Sequence, residues 1–141
     1  MYRSHACNRT DALYLIRHGV GRRGDFHGVD LRGADLSGLD LSMADLRNCD
    51  MRGCDMRGCD MRWADLCRAD LCEANLRDCD MRRADLRGCD MRGSDLSGGN
   101  LRRADLSWCD LNWCELRECD LRWVSMRGAT MQNANITGAK I

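Results

Sequence analysis

The sequence predicts an all-β solenoid, and three features of the run 24–141 predict it. Every fifth residue from Phe26 to Ile141 is apolar: these 24 positions hold one Phe, 14 Leu, seven Met and two Ile, and no insertion breaks the register. Two residues before each of them stands a small or apolar residue, ten times Ala and eight times Cys. Between these two rows runs a polar row with 17 Asp, and after each central residue come Arg or small polar residues such as Arg47, Arg52, Arg57 and Ser97.

A period of five suits neither regular element. It matches neither the 3.6 residues of a helical turn nor the alternation of a long strand, so neither would keep all the Leu and Met positions on one side. A coil with corners does. If the chain turns by about a quarter at each repeat, the central and small rows face a common axis while Asp and Arg face water. Successive coils then stack at about 4.8 Å, the spacing of neighbouring strands, with backbone hydrogen bonds along the rod.

The motif of a small residue, Asp or Asn, Leu or Phe, and two variable residues, as in Ala34-Asp35-Leu36-Ser37-Gly38 and Ala74-Asn75-Leu76-Arg77-Asp78, resembles the pentapeptide-repeat family over residues 24–141. The resemblance implies a right-handed quadrilateral β-helix with four repeats per coil, here nearly six coils. Two departures from the family pattern stand out: the central row has a single Phe, and the small row is often Cys. Met fills irregular space and Cys behaves as a small buried hydrophobe, so a core of this kind accommodates both.

Residues 1–23 are expected to form a cap segment with a short helix near 11–18. Thr10-Asp11 reads as its N-cap, Ala12 to His18 as about two turns and Gly19 as its stop. At the other end the run reaches Ile141 in a central position, so the coil holding Ile136 and Ile141 is a candidate for pairing with a second copy. No stretch is long enough to span a bilayer and the N-terminus lacks a secretory pattern, which points to the cytoplasm and reduced thiols.

Lysines and arginines number 22, as do acidic residues, so the net charge is zero. Wound four repeats per coil, every twentieth residue shares a side, and the charge becomes uneven. Arg62, Arg82, Arg83, Arg102, Arg103, Arg122 and Lys140 against Asp40, Asp60, Asp80 and Asp120 give one side +3, while the sides through Asp30 and Asp35 are each −3 and the fourth is −1. The cap segment contributes +4 through Arg3, Arg9, Arg17, Arg22 and Arg23 less Asp11.

The candidate interaction surface comprises those six arginines with Trp108, Trp113 and Trp123, which fall at the last position of their repeats within one coil and should face outward. Trp63 shares the basic side with Trp123 and could stack on bases, but +3 is a small charge for holding nucleic acid, which is not the expected partner. Cys67 and Cys72, after the central residue, are expected to be exposed and are the candidates for thiol reactivity. The other repeat cysteines should point inward, and their spacing is not that of a metal site.

No catalytic, cofactor or metal constellation emerges, since His5, His18 and His27 lie near the N-terminus and the Asp residues belong to the repeat. The expected function is therefore a noncatalytic scaffold for protein–protein interaction. Some members of the family bind type II topoisomerases such as DNA gyrase by resembling duplex DNA, and the resemblance implies that alternative here. The frequent Arg after the central residue weakens any imitation of phosphates.

Overall fold

The computed structural model describes residues 7–141; the first six positions of the expected cap segment, with Arg3 and His5, lie outside the described residues. From Asp25 onward each polar-row residue pairs in parallel with the residue twenty later, beginning with Asp25–Asp45 and ending with Asp120–Lys140. Each coil therefore takes four repeats, and positions twenty apart form columns along the rod. The pairings are single bridges, because a turn in every repeat leaves too few extended residues for a longer strand. The chain is a β-helical solenoid in that sense.

One repeat shows how the backbone is satisfied. The Phe26 N–H donates to Asp45 O at 2.8 Å, the Gly28 N–H to Arg47 O at 2.8 Å, and the Asp45 N–H returns to Gly24 O at 2.8 Å. The corner is closed by the Val29 N–H donating to Phe26 O at 3.1 Å. The residue before Val29 has positive φ, 71° at Gly28, the sign that a type II turn requires at this position. The same sign recurs at this second trailing position from Arg23 to Gly138, and arginines and tryptophans occupy it as well as glycine. A left-handed conformation costs a side-chain-bearing residue about 1–2 kcal/mol, which the surrounding ladder must offset.

The central row from Leu31 to Leu116 is fully buried, and with the small row it forms one continuous core. Burial of each Leu or Met side chain contributes about 1.5–3 kcal/mol, repeated at every corner. The eight cysteines of the small row do more than fill space. Each thiol donates to the turn carbonyl of the coil before it, as Cys49 to Phe26 O at 3.0 Å, Cys79 to Met56 O at 2.9 Å and Cys109 to Leu86 O at 2.8 Å. Burial pushes the Cys49, Cys54 and Cys119 thiols up to about 11, which keeps them protonated as donors.

The Asp row has a backbone role. Its Oδ1 accepts the N–H two residues on, at 3.0 Å for Ser37 on Asp35 and 2.9 Å for Ser42 on Asp40, so it fastens the entry to each turn. Where that later residue is Arg, the guanidinium folds back as a fork: Arg52 reaches Asp50 at 2.8 and 2.6 Å, and Arg32, Arg47, Arg57, Arg62, Arg82, Arg87, Arg92 and Arg122 do the same.

At the N-terminal end the helix α1, Arg9–Leu15, begins one residue before the Thr10-Asp11 signal. Asn8 is the cap: its side chain accepts the Asp11 N–H at 2.9 Å, which moves the start upstream. A wider turn, Ile16–Val20, follows and contains Gly19 at φ 82°. Ala12 and Ile16 are buried on the first coil. The carbonyls of that coil have no earlier coil to receive them, and side chains of this segment supply donors. Arg9 donates to Asp30 O at 3.2 Å and Arg32 O at 2.7 Å, and Arg17 to Asp35 O at 3.5 Å. Gly21 is required by close approach, since a Cβ there would press on Asp40 O at 2.5 Å.

Two outcomes follow from these contacts. Gly53 sits at φ 65° with nothing within 4 Å of an added Cβ, so Gly53→Val acts on the backbone alone. It should lower the unfolding free energy in urea by about 1–2 kcal/mol. The Arg forks hold the carboxyls of Asp45, Asp50, Asp55, Asp60 and Asp85 below their ordinary value and those of Asp90 and Asp120 at about 2. Because the folded values are depressed, their stabilisation is complete above the unfolded value of about 3.9. The thermal midpoint should hold from neutral pH to about 5 and fall as pH drops from about 4 toward 2, as followed by circular dichroism.

Candidate interaction face

The columns decide which of the sequence candidates meet. Trp108, Trp113 and Trp123 are exposed by 64%, 66% and 63%, but belong to three different columns of the four-repeat coil. They ring the rod at nearly one level and do not form one flat patch. Trp108 lies over Gly128, where a Cβ would collide with its ring, and bounds an open cleft of about 620 Å³ left by Gly88 beside Arg68 and Cys67.

Trp123 has different company. Its column continues through Arg103, Arg83 and Trp63, each one coil apart, and Trp63 is 54% exposed. The guanidinium of Arg83 lies 4.7 Å from the Trp63 ring centroid, and those of Arg102, Arg103 and Arg122 lie 5.0, 5.6 and 5.7 Å from that of Trp123. Exposed cation–π contacts contribute about 0.5–1 kcal/mol each, enough to orient the ladder.

The six arginines of this side fall into two groups. Arg62, Arg82 and Arg122 are forked on Asp60, Asp80 and Asp120, with closest contacts of 2.6 Å. Arg83, Arg102 and Arg103 make no ion pair or side-chain hydrogen bond among the described residues. The reason for Arg102 is local. Asn100 stands in the Asp row; its Oδ1 still accepts the Arg102 N–H at 3.3 Å, but a neutral amide offers no second oxygen for a fork. Freed from that contact, the guanidinium turns to Trp123. The signal was visible in the sequence as a break in the Asp row, but its consequence required knowing that Asp and Arg two residues apart close on each other.

Cys67 and Cys72 are half-buried, which corrects the expectation that they are exposed. Arg87 and Arg92 lie across them, with Nη2 at 3.7 and 3.8 Å from the sulfurs. Burial, reinforced by Asp85 and Asp65 for one and Asp90 and Asp70 for the other, pushes both thiols up to about 12, so neither is activated as a nucleophile. Each thiol lies with its two carboxylates within 4.8 Å, but Arg87 and Arg92 already occupy Asp85 and Asp90 at 2.6 Å. At the C-terminal end Ile136 and Ile141 are 44% and 88% exposed.

A twenty-residue register, a buried apolar row and an Asp row that fastens type II turns define a class of solenoid. The family model for pentapeptide repeats matches residues 25–62, 64–103 and 104–141, and the chain belongs to that family. Among solved structures it is similar to the pentapeptide repeat protein Rfr23 from the cyanobacterium Cyanothece 51142, with 22% identity over 90% of this chain and 98% of that one and a TM-score of 0.63. It is also similar to QnrB1, a plasmid-mediated fluoroquinolone resistance protein, in a trypsin-treated M102R form, with 22% identity over 84% of this chain and 67% of that one and a TM-score of 0.66. At these identities the likeness is one of fold. A comparison with curated protein sequences finds no match. Among the described residues no helix is long and apolar enough to cross a membrane.

Proposed function

We propose that this chain is a noncatalytic scaffold, a right-handed quadrilateral β-helix of nearly six coils with 1–23 as its cap segment, whose basic side holds a protein partner. The observation that carries the reading is the ladder Trp63, Arg83, Arg103 and Trp123 with Arg102 beside it. It combines two exposed indoles with three guanidiniums that have no carboxylate partner among the described residues. Trp and Arg are the side chains that most often anchor protein interfaces, because they bury large area and form directional contacts. Membership of the pentapeptide-repeat family, whose proteins are generally structural or interaction scaffolds, agrees with it.

A DNA-mimicking contact with a type II topoisomerase has less support. Most of its phosphate-like charge stands in the Asp row, where nine carboxylates carry an Arg fork. A second copy of the chain is a separate candidate partner at the last coil. There the N–H groups of Met126, Met131 and Ile136 have no backbone acceptor among the described residues, beside the exposed Ile136 and Ile141.

A pull-down with the immobilised chain tests the scaffold reading. Wild type and Trp113→Ala should retain the same partner, while Trp123→Ala combined with Arg103→Ala loses it; equal retention by all three would sink the assignment of the basic side. For the last coil, analytical ultracentrifugation should show a wild-type dimer that Ile141→Asp converts to monomer, and a monomeric wild type would refute it.

A further inference from the structure

The chemistry of the partner follows from what the basic side lacks. We infer that Arg83, Arg102 and Arg103 receive the carboxylates of a short acidic protein segment, docked lengthwise between Trp63 and Trp123. The inference rests on the scaffold reading above and gives its partner a chemical class.

The chain itself shows what a guanidinium at these positions does when a carboxylate is within reach. In nine repeats the Arg after the central residue closes a two-point contact on Asp, at 2.8 and 2.6 Å for Arg62 on Asp60 and Arg82 on Asp80 in this same side. Arg102 has the same backbone setting and the same turn, with only the carboxylate replaced by the Asn100 amide. A carboxylate brought by a partner completes that contact without rearrangement of the coil. Arg83 and Arg103, at the outward-pointing second trailing position with φ 60°, stand one coil apart in the adjoining column and offer two further cations.

Geometry limits the length of the occupant. Trp63 and Trp123 are three coils apart, about 14 Å at about 4.8 Å per coil. An extended peptide advances about 3.3 Å per residue, so the interval spans four to five residues, and two or three of them can present carboxylates to the three cations. The indoles bracket the segment and can cover its apolar stems.

A nucleic acid strand fits less well on two counts. Three phosphate contacts give little affinity at physiological salt, since each neutralised phosphate contributes only its share of counterion release. Beyond the three-coil interval the repeats of this side add only Asp40 and Lys140, which cancel, so a long polyanion gains no further net positive charge from them. A compact group of carboxylates meets the free guanidiniums alone and takes the planar two-point geometry that Arg favours.

The test uses the full chain and a synthetic seven-residue peptide with three Glu, followed by tryptophan fluorescence at about 150 mM salt. Its comparators are the same peptide with Gln for Glu and a single-stranded oligonucleotide of similar length. The Glu peptide should quench saturably and bind at least about ten-fold more tightly than the Gln peptide, the difference expected for charge-assisted contacts. Asn100→Asp, which places in the row the residue it ordinarily holds, should preserve the fold and weaken the peptide several-fold by giving Arg102 an internal carboxylate. Arg83→Ala with Arg103→Ala should abolish saturation, and Trp113→Phe should leave it unchanged.

Equal binding of the Glu and Gln peptides, tighter binding of the oligonucleotide, or indifference to both Asn100→Asp and the double Arg variant would overturn the inference. If the pull-down still depends on Trp123 and Arg103 in that event, the scaffold reading survives and only the acidic chemistry is lost.

Discussion

Everything on the surface of this protein is placed by one backbone constraint, the in-register hydrogen bond from a central residue to the carbonyl nineteen positions ahead. Leu31 N–H to Asp50 O at 2.7 Å and Leu76 N–H to Asp95 O at 2.7 Å are two instances among many. Because the register never slips, a side chain's column is fixed by its position in the repeat and its number modulo twenty. Burial of the central row supplies the driving force for collapse, but apolar burial has no direction of its own. The ladder turns that undirected attraction into stacked columns.

Much of this was legible in the sequence. The two inward rows announced the core, since an uninterrupted apolar row at period five has few other uses, and the structure buries the central row through Leu121 and most of the small row beside it. The start of the helix was misread because Asn8, three residues before Asp11, outcompeted Thr10 as the cap. That contest depends on which side chain reaches a free N–H, and local propensity does not rank Asn and Thr sharply enough to decide it. The burial of Cys67 and Cys72 was missed because it comes from Arg87 and Arg92 one coil later, a contact between residues twenty apart.

The candidate face was legible only in outline. Summing charges by column found the basic side but counted Arg62 and Arg102 alike. One is held by Asp60 and the other is not held by Asn100, a distinction that exists only once side chains two residues apart fold onto each other. The tryptophans pose the same difficulty. Their spacing within a coil placed Trp108, Trp113 and Trp123 at one height, whereas what makes Trp123 distinctive is Arg103 along its column and Arg102 in the adjoining one.

The cysteine row has a further bearing on how such a rod tolerates chemical damage. Each core thiol bonds to the turn carbonyl of the preceding coil, so eight weak cross-links are distributed over all the middle coils. An oxidant that adds even one oxygen to such a sulfur must place new polar bulk against a corner that is already closed. The coils can part there without the neighbouring corners giving way, because each corner is fastened on its own. Injury to this protein would therefore be local and graded, a loosened rung in a ladder whose other rungs still hold.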